Sequence, residues 1–252
     1  MYKISSLDNL KELFHAFSTV KDGNMSLVVN QEKVDAGDVI NNRKKFFKKI
    51  GIDFNRVMTV WLQHGNNIVE AKEKWLGKTV LGEIDPPKAD AVITDQKNTF
   101  LALTIADCVP VIIYDPKKHA VGLVHAGWKG VDKKIVVKTI YKMSRSYGTR
   151  PEDLIIGIGP CIGKDNYLKD NFSEGRKKIW GGFVEDRGKG IYSVDLAGYI
   201  YSQLIRSRIN EENIYFSEID VFEDERFYSH YRDVRSKEGD KGRNFCVVGL
   251  QK

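Results

Sequence analysis

Short apolar runs alternate with polar, turn-prone pieces along this chain, and their spacing predicts a sheet-rich protein. Four runs in the middle are the clearest: ADAVITD at 89–95, FLALTIAD at 100–107, VPVIIYD at 109–115 and HAVGLVHA at 119–126. The pieces between them hold Asp, Asn, Pro or Lys and are too short for a helix. Such runs are expected as antiparallel neighbours and not as parallel strands joined by helical crossovers. Further strands are expected at LVVN (27–30), VMTVWLQ (57–63), LIIGIGP (154–160), NIYFSEI (213–219) and NFCVVGL (244–250), with NNIVEA (66–71) returning as the hairpin partner of 57–63.

Elsewhere the period changes to that of a helix. Val34, Val39, Phe46, Phe47 and Ile50 share one face over 31–50, and Gly51 is a natural stop. From Trp128 to Tyr147 the positions Val131, Ile135, Ile140 and Met143 repeat at helical spacing, closed by Gly148. Asp195 is placed to cap a helix carrying Leu196, Tyr199, Ile200, Leu204 and Ile205. Residues 166–190 mix charges with glycines and predict no definite element. With no repeat, low-complexity tract or linker, the pieces predict one α+β domain over 1–252, stacked antiparallel or mixed β-sheets flanked by helices.

Composition changes this picture little. At 252 residues, with 42% hydrophobic and 29% charged positions, the chain can bury a substantial core. The opening stretch MYKISSLDNLKELFHAF has no basic region followed by a purely apolar one, and no apolar run nears the roughly 20 residues that span a bilayer. A cytoplasmic protein without a membrane partner is therefore expected. The net charge of +6 is spread over short groups such as NRKKFFKKIG and GRKK, with no basic arm or nucleic-acid-binding signature. KKFFKK at 44–49 reads as a basic patch or as a helix with Phe46 and Phe47 turned inward. No nucleic-acid partner and no dedicated protein partner is expected, whereas a small anionic substrate suits the charge.

Three cysteines (108, 161, 246) and five histidines narrow the chemistry. They contain no close cysteine pair, so no disulfide framework or four-cysteine metal knot is indicated. His64, Cys108 and His125 each fall where a predicted strand ends, so side chains from several strands can converge there. Two imidazoles and a thiolate suit zinc (Zn2+), with a fourth position left for water or substrate; copper(I) accepts the same donors. The residues separating them, 44 and 17 positions, form no short motif. Two surface histidines and a buried cysteine are the plain alternative, and Cys108 acting as a nucleophile with His125 as base is a metal-free one. Asp107 is a candidate general base or hydrogen-bond partner beside Cys108, or a strand-end cap. The loops GWKG (127–130) and GIGPCIG (157–163) offer backbone N–H groups to an anion; Cys161 is a candidate to line such a pocket or a small buried residue, and His230 and Arg232 suit a pocket rim or a structural hydrogen-bond network.

The motifs WLQHGNNIV (61–69), ADAVITD (89–95), LTIADCVPV (103–111), VHAGWKG (124–130) and GPCIGKDNY (159–167) together resemble the YfiH/LACC1 family. The similarity continues through VDLAGYIYSQL (194–204), FYSHYRD (227–233) and the GR pair at 242–243, in the same order and over nearly the whole chain. Members have been called laccase-domain or polyphenol oxidase proteins and are regarded as purine nucleoside phosphorylases. The resemblance implies an α+β fold with stacked sheets and metal ligands at His64, Cys108 and His125. It implies phosphorolysis of adenosine, inosine, guanosine and methylthioadenosine to base and sugar 1-phosphate, with adenosine deamination as an associated activity. A non-catalytic zinc- and purine-binding protein and a copper-linked polyphenol oxidase are the alternatives. Arg43 matches the family pattern and is a candidate substrate-binding residue, with a salt bridge on a helix as its plain alternative. Two arginines of the pattern are replaced, by Val20 in FSTVKDG and by Tyr231 before Arg232, with Lys21 and Arg232 as possible substitutes.

Overall fold

The computed structural model describes residues 1–29, 32–170, 172–237, 239 and 241–251, except for the side chains of 32 and 33. Its centre is a six-stranded sheet in the order β14 (Ile214–Phe216), β10 (Ile155–Ile158), β8 (Val109–Asp115), β9 (Ala120–Ala126), β6 (Ala91–Thr94) and β5 (Ile68–Glu70). A four-stranded sheet runs in the order β1 (Leu13–Phe17), β15 (Asn244–Leu250), β7 (Phe100–Ile105) and β4 (Val57–Thr59). Smaller sheets join β2 (Val28–Val29) to β3 (Glu32–Lys33), and β11 (Leu168–Asp170) through β13 (Ile191–Val194) to β12 (Val184–Asp186). The helices are α1 (Ala36–Lys49), α2 (Trp128–Asp132), α3 (Ile135–Tyr147), α4 (Glu174–Trp180), α5 (Leu196–Arg206) and α6 (His230–Arg235). None is long and apolar enough to cross a membrane among the described residues.

The two large sheets share one core. Leu101, Leu103 and Ile105 of β7 join Val111, Leu123 and Val124 of the six-stranded sheet in it, while Phe100 and Ala102, on the opposite face of β7, belong to a smaller core with Phe46 and Phe47 of α1. That alternation follows from the two-residue period of a strand. β8 and β9 are buried at every position, with α3 packed on the side away from the four-stranded sheet. Strands covered on both faces read as unbroken apolar runs, and VPVIIYD and AVGLVHA do. Gly122 lets α3 approach: a Cβ there would lie 3.1 Å from Met143 Sδ and 3.4 Å from a methyl of Ile93. Each large side chain sealed in these cores contributes about 1.5–3 kcal/mol relative to an exposed one.

Several expectations are corrected. The four central runs are not one antiparallel series, because β7 joins the other sheet between β15 and β4. β5 is not the hairpin partner of the strand before it; it pairs in parallel with β6, as β4 does with β7. The helix expected over 128–147 is two, broken where Lys134 takes a left-handed conformation (φ 58°). Asp195 caps α5 as anticipated, accepting from the Gly198 N–H at 2.8 Å. The charged region 166–190 holds β11, α4 and β12, with Asn171 outside the described residues, as Asn30 of LVVN also is.

Candidate metal centre

Strand register brings the site together. In the β8–β9 pair Val109 faces Ala126 and Pro110 faces His125, so Cys108, one residue before β8, meets Gly127, one residue after β9. The 17-residue separation of Cys108 and His125 is therefore a hairpin crossing. In the β6–β9 pair Ala91 faces Val124, which sets Asp90 opposite His125, and the His125 N–H bonds the Asp90 carbonyl at 2.8 Å. His64 comes from the turn between the Trp61–Lys88 bridge and β5, where its backbone is left-handed (φ 52°). One donor atom from each of His64, Cys108 and His125 lies within 4.8 Å of the others, the one such group among the described residues.

Asp90 organises this cluster and was not singled out by the sequence reading. It is fully buried. Its Oδ1 accepts from the N–H groups of Gln63 (3.1 Å) and His64 (2.8 Å), and Oδ2 from that of Gly65 (2.8 Å). The same Oδ1 lies 3.1 Å from His125 Nδ1. One carboxylate thus fixes the strained turn presenting His64 and sets the ring of His125 with Nε2 directed away from Asp90, the arrangement seen where a carboxylate steers a metal-bound imidazole. Burial opposes ionisation of Asp90, but the His125 ring and the Gly65 and His64 amides outweigh it and lower its pKa. The signal was present: antiparallel pairing of ADAVITD with HAVGLVHA puts its first aspartate beside the histidine.

The donor set is ready for a cation. Burial alone would raise the Cys108 thiol, yet His125 and His64 beside it bring its pKa down to about 5; burial disfavours charge on His125, while Cys108 and Asp90 raise it to about 9. A thiolate facing imidazole groups is what a soft cation replaces protons in. His125 is buried, Cys108 half-buried and His64 exposed, so the group opens to solvent on the His64 side. Gly127 completes the cradle: a Cβ there would lie 3.0 Å from Cys108 Sγ, 3.3 Å from His64 Cδ2 and 3.7 Å from His125 Cε1. A side chain there would press on Cys108 and His64, so glycine leaves these donors undisturbed. The residues therefore fit a metal ion.

Asp107, also left-handed (φ 78°), faces α6 and is not among the three donors. Its Oδ1 accepts from Ser229 Oγ at 2.6 Å and its Oδ2 from the Tyr231 N–H at 2.7 Å. Burial pushes its pKa up to about 6 against the lowering effect of these bonds. The carboxyl thereby ties the N-terminus of α6, with His230 and Tyr231, to the residue next to Cys108. Tyr231 lies 5.1 Å, centroid to centroid, from the buried ring of Tyr167. Cys161 is buried in the main core, which pushes its thiol pKa up.

Two expected pocket arginines are used inside the fold. Arg43 is buried in the smaller core; it donates to the Met25 carbonyl from Nε (3.0 Å) and Nη2 (2.7 Å) and to that of Val80 from Nη1 (2.6 Å), stacked over Phe245. Arg232 donates to the carbonyls of Val221 (2.8 Å) and Phe227 (2.6 Å), pinning the loop before α6. Neither is brought to the three donors. Their hydrogen bonds give both arginines a structural role, because carbonyls turned into the fold without secondary-structure partners need donors.

The chain is similar to known proteins over nearly its whole length. The family described as "Multi-copper polyphenol oxidoreductase laccase" matches residues 16–251. The chain is 30% identical to Purine nucleoside phosphorylase YlmD of Bacillus subtilis, over 96% of this chain and 90% of that protein. The crystal structure of YlmD from Geobacillus stearothermophilus superposes with a TM-score of 0.87 at 26% identity, covering 96% of this chain and 93% of the other. That of the Bacillus licheniformis hypothetical protein YfiH gives 0.85 at 28% identity, covering 97% and 95%.

Proposed function

Because the chain belongs to the multi-copper polyphenol oxidoreductase laccase family, the YfiH/LACC1 group whose curated relatives are named purine nucleoside phosphorylases, we propose that it is a zinc-dependent purine nucleoside phosphorylase. The observation that carries this reading is the His64–Cys108–His125 cluster, aligned by Asp90 and open on one side. These three residues would hold the metal, and a zinc ion there supplies Lewis acidity toward an oxygen of a bound substrate. The one three-donor group among the described residues suits a single ion and not the several clustered coppers of multicopper oxidation.

In phosphorolysis a phosphate oxygen bonds to the anomeric carbon while the carbon–nitrogen bond to the purine breaks, and the purine nitrogen takes up a proton. The substrates are expected to be adenosine, inosine, guanosine and methylthioadenosine. Asp107 is a positioning residue in this scheme: it accepts from Ser229 and from the backbone of Tyr231, the residues on either side of His230. His230 is the candidate for contact with the nucleoside, and Cys161, within the loop 157–163, is buried in the main core. Deamination of adenosine, in which water replaces the amino group and ammonia leaves, would require the base edge and not the sugar to face the donors.

Product analysis separates these reactions. Zinc-loaded protein incubated with adenosine is expected to release adenine and ribose 1-phosphate only when phosphate is present. Inosine formed without phosphate would make deamination the main activity. No product under either condition would leave a purine-binding protein and overturn the proposal.

A further inference from the structure

The residue after Gly127 anchors an unassigned group of cations. Trp128 begins α2, and its half-exposed ring is approached from three elements: Lys129 Nζ of α2 at 5.7 Å, Lys169 Nζ of β11 at 5.5 Å and Arg176 Cζ of α4 at 4.9 Å from the ring centre. Any two of these charges are thus no more than about 11 Å apart, against a Debye length of about 8 Å in physiological salt, so salt weakens their repulsion without abolishing it. Arg176 Nε is held at 3.2 Å by Asp132, which also takes the indole N–H of Trp180 at 2.9 Å. Lys129 and Lys169 have no carboxylate partner among the described residues. Three cations against one carboxylate leave about two positive charges in excess, enough to balance a phosphate dianion.

The group is joined to the metal donors on two sides. Gly127, in contact range of all three donors, is bonded directly to Trp128, and α2 packs so closely on the His64 turn that a Cβ on Gly130 would lie 2.9 Å from the Gly65 carbonyl. On the other side Lys169 Nζ lies 5.9 Å from the ring of Tyr167, which meets Tyr231 and thereby the segment bonded to Asp107. Stacking on an aromatic face restrains long basic side chains while leaving their heads in water, so less rotamer freedom is lost when an anion binds.

We propose that Lys129, Lys169 and Arg176, gathered around Trp128 beside the donors, seat the inorganic phosphate that serves as the second substrate. The proposal rests on the phosphorylase reading. Calorimetric titration of the zinc-loaded full chain with inorganic phosphate, at ionic strength fixed with chloride, tests it without requiring turnover. Lys169→Ala is expected to weaken phosphate binding about tenfold and a Lys129→Ala, Lys169→Ala double variant more, whereas Lys169→Arg stays within about threefold of the parent. The KM for phosphate should rise in parallel and that for adenosine should not. Equal phosphate affinity in the parent and both alanine variants would overturn the assignment, as would no phosphate binding by the parent at millimolar concentration. Binding of adenosine 5′-monophosphate that depends on Lys169, without binding of inorganic phosphate, would also overturn it in favour of a nucleotide site. Phosphate binding that depends on Lys169 in a protein that cleaves no nucleoside would leave the anion seat standing and remove the phosphorylase reading.

Discussion

Cys108→Ala is expected to give a folded protein that no longer retains zinc on dialysis and whose nucleoside cleavage falls by about a thousandfold or more. Cys108 supplies the only thiolate of the cluster, at a half-buried strand end where alanine fits without strain. Removing a direct donor must weaken the metal by more than the roughly 10- to 100-fold seen when only an outer hydrogen-bond partner is lost. Metal content by plasma mass spectrometry and product formation by chromatography report the two effects separately. His64→Ala distinguishes this account from a metal-free Cys108–His125 nucleophile. The metal account expects His64→Ala to lose zinc and activity together, while a cysteine–histidine pair would keep most of its rate, because Asp90 still orients His125. Full activity in metal-free Cys108→Ala would end the proposal.

The second large effect is expected at Asp90. Asp90→Asn retains one carbonyl oxygen where the carboxylate serves three backbone N–H groups and the His125 ring, and its amide N–H groups would point at donors. Leaving buried donors unpaired should destabilise the protein by about 2–4 kcal/mol, seen as a fall in Tm of about 4–16 °C for a chain of this size. Zinc affinity should drop about 10- to 100-fold because neither the His64 turn nor the His125 ring is held. The pH dependence has a definite sign. The Asp90 pKa is lowered in the folded protein, so its stabilisation is complete above the unfolded carboxylate value of about 4 and is lost as pH falls through the folded one. Acid unfolding of Asp90→Asn should lack that part of the slope. Unchanged thermal stability and zinc affinity would show that Asp90 does not organise the site.

The three donors were legible in the sequence because each stands where an apolar run ends, and such ends are where separate strands can meet. Asp90 was legible only in part. It sits in plain view in ADAVITD, but its partners, Gln63 to Gly65 and His125, are 25 to 35 positions away and come together only once β6 pairs with β9. Gly127 likewise reads as a turn glycine until the β8–β9 register sets it opposite Cys108. Local patterns located α1 and α5, whose caps Asp35 and Asp195 act within a few residues. They missed α6, which is six residues long and depends on Asp107, 122 positions from its cap Ser229. They also missed the transfer of β7 to the other sheet, since FLALTIAD carries no local mark of which sheet it will join. At Arg43 and Arg232 the limit is the same: sequence displays a cation but not the carbonyls that take its donors.

Zinc titration of metal-stripped protein, with adenosine and phosphate as substrates, tests the central claim most directly. The account predicts that adenine and ribose 1-phosphate form at a rate rising linearly with added zinc and levelling at one ion per chain, with no such rise for Cys108→Ala. Undiminished product formation by the stripped protein, or a rate unrelated to the ion bound at His64, Cys108 and His125, would contradict it.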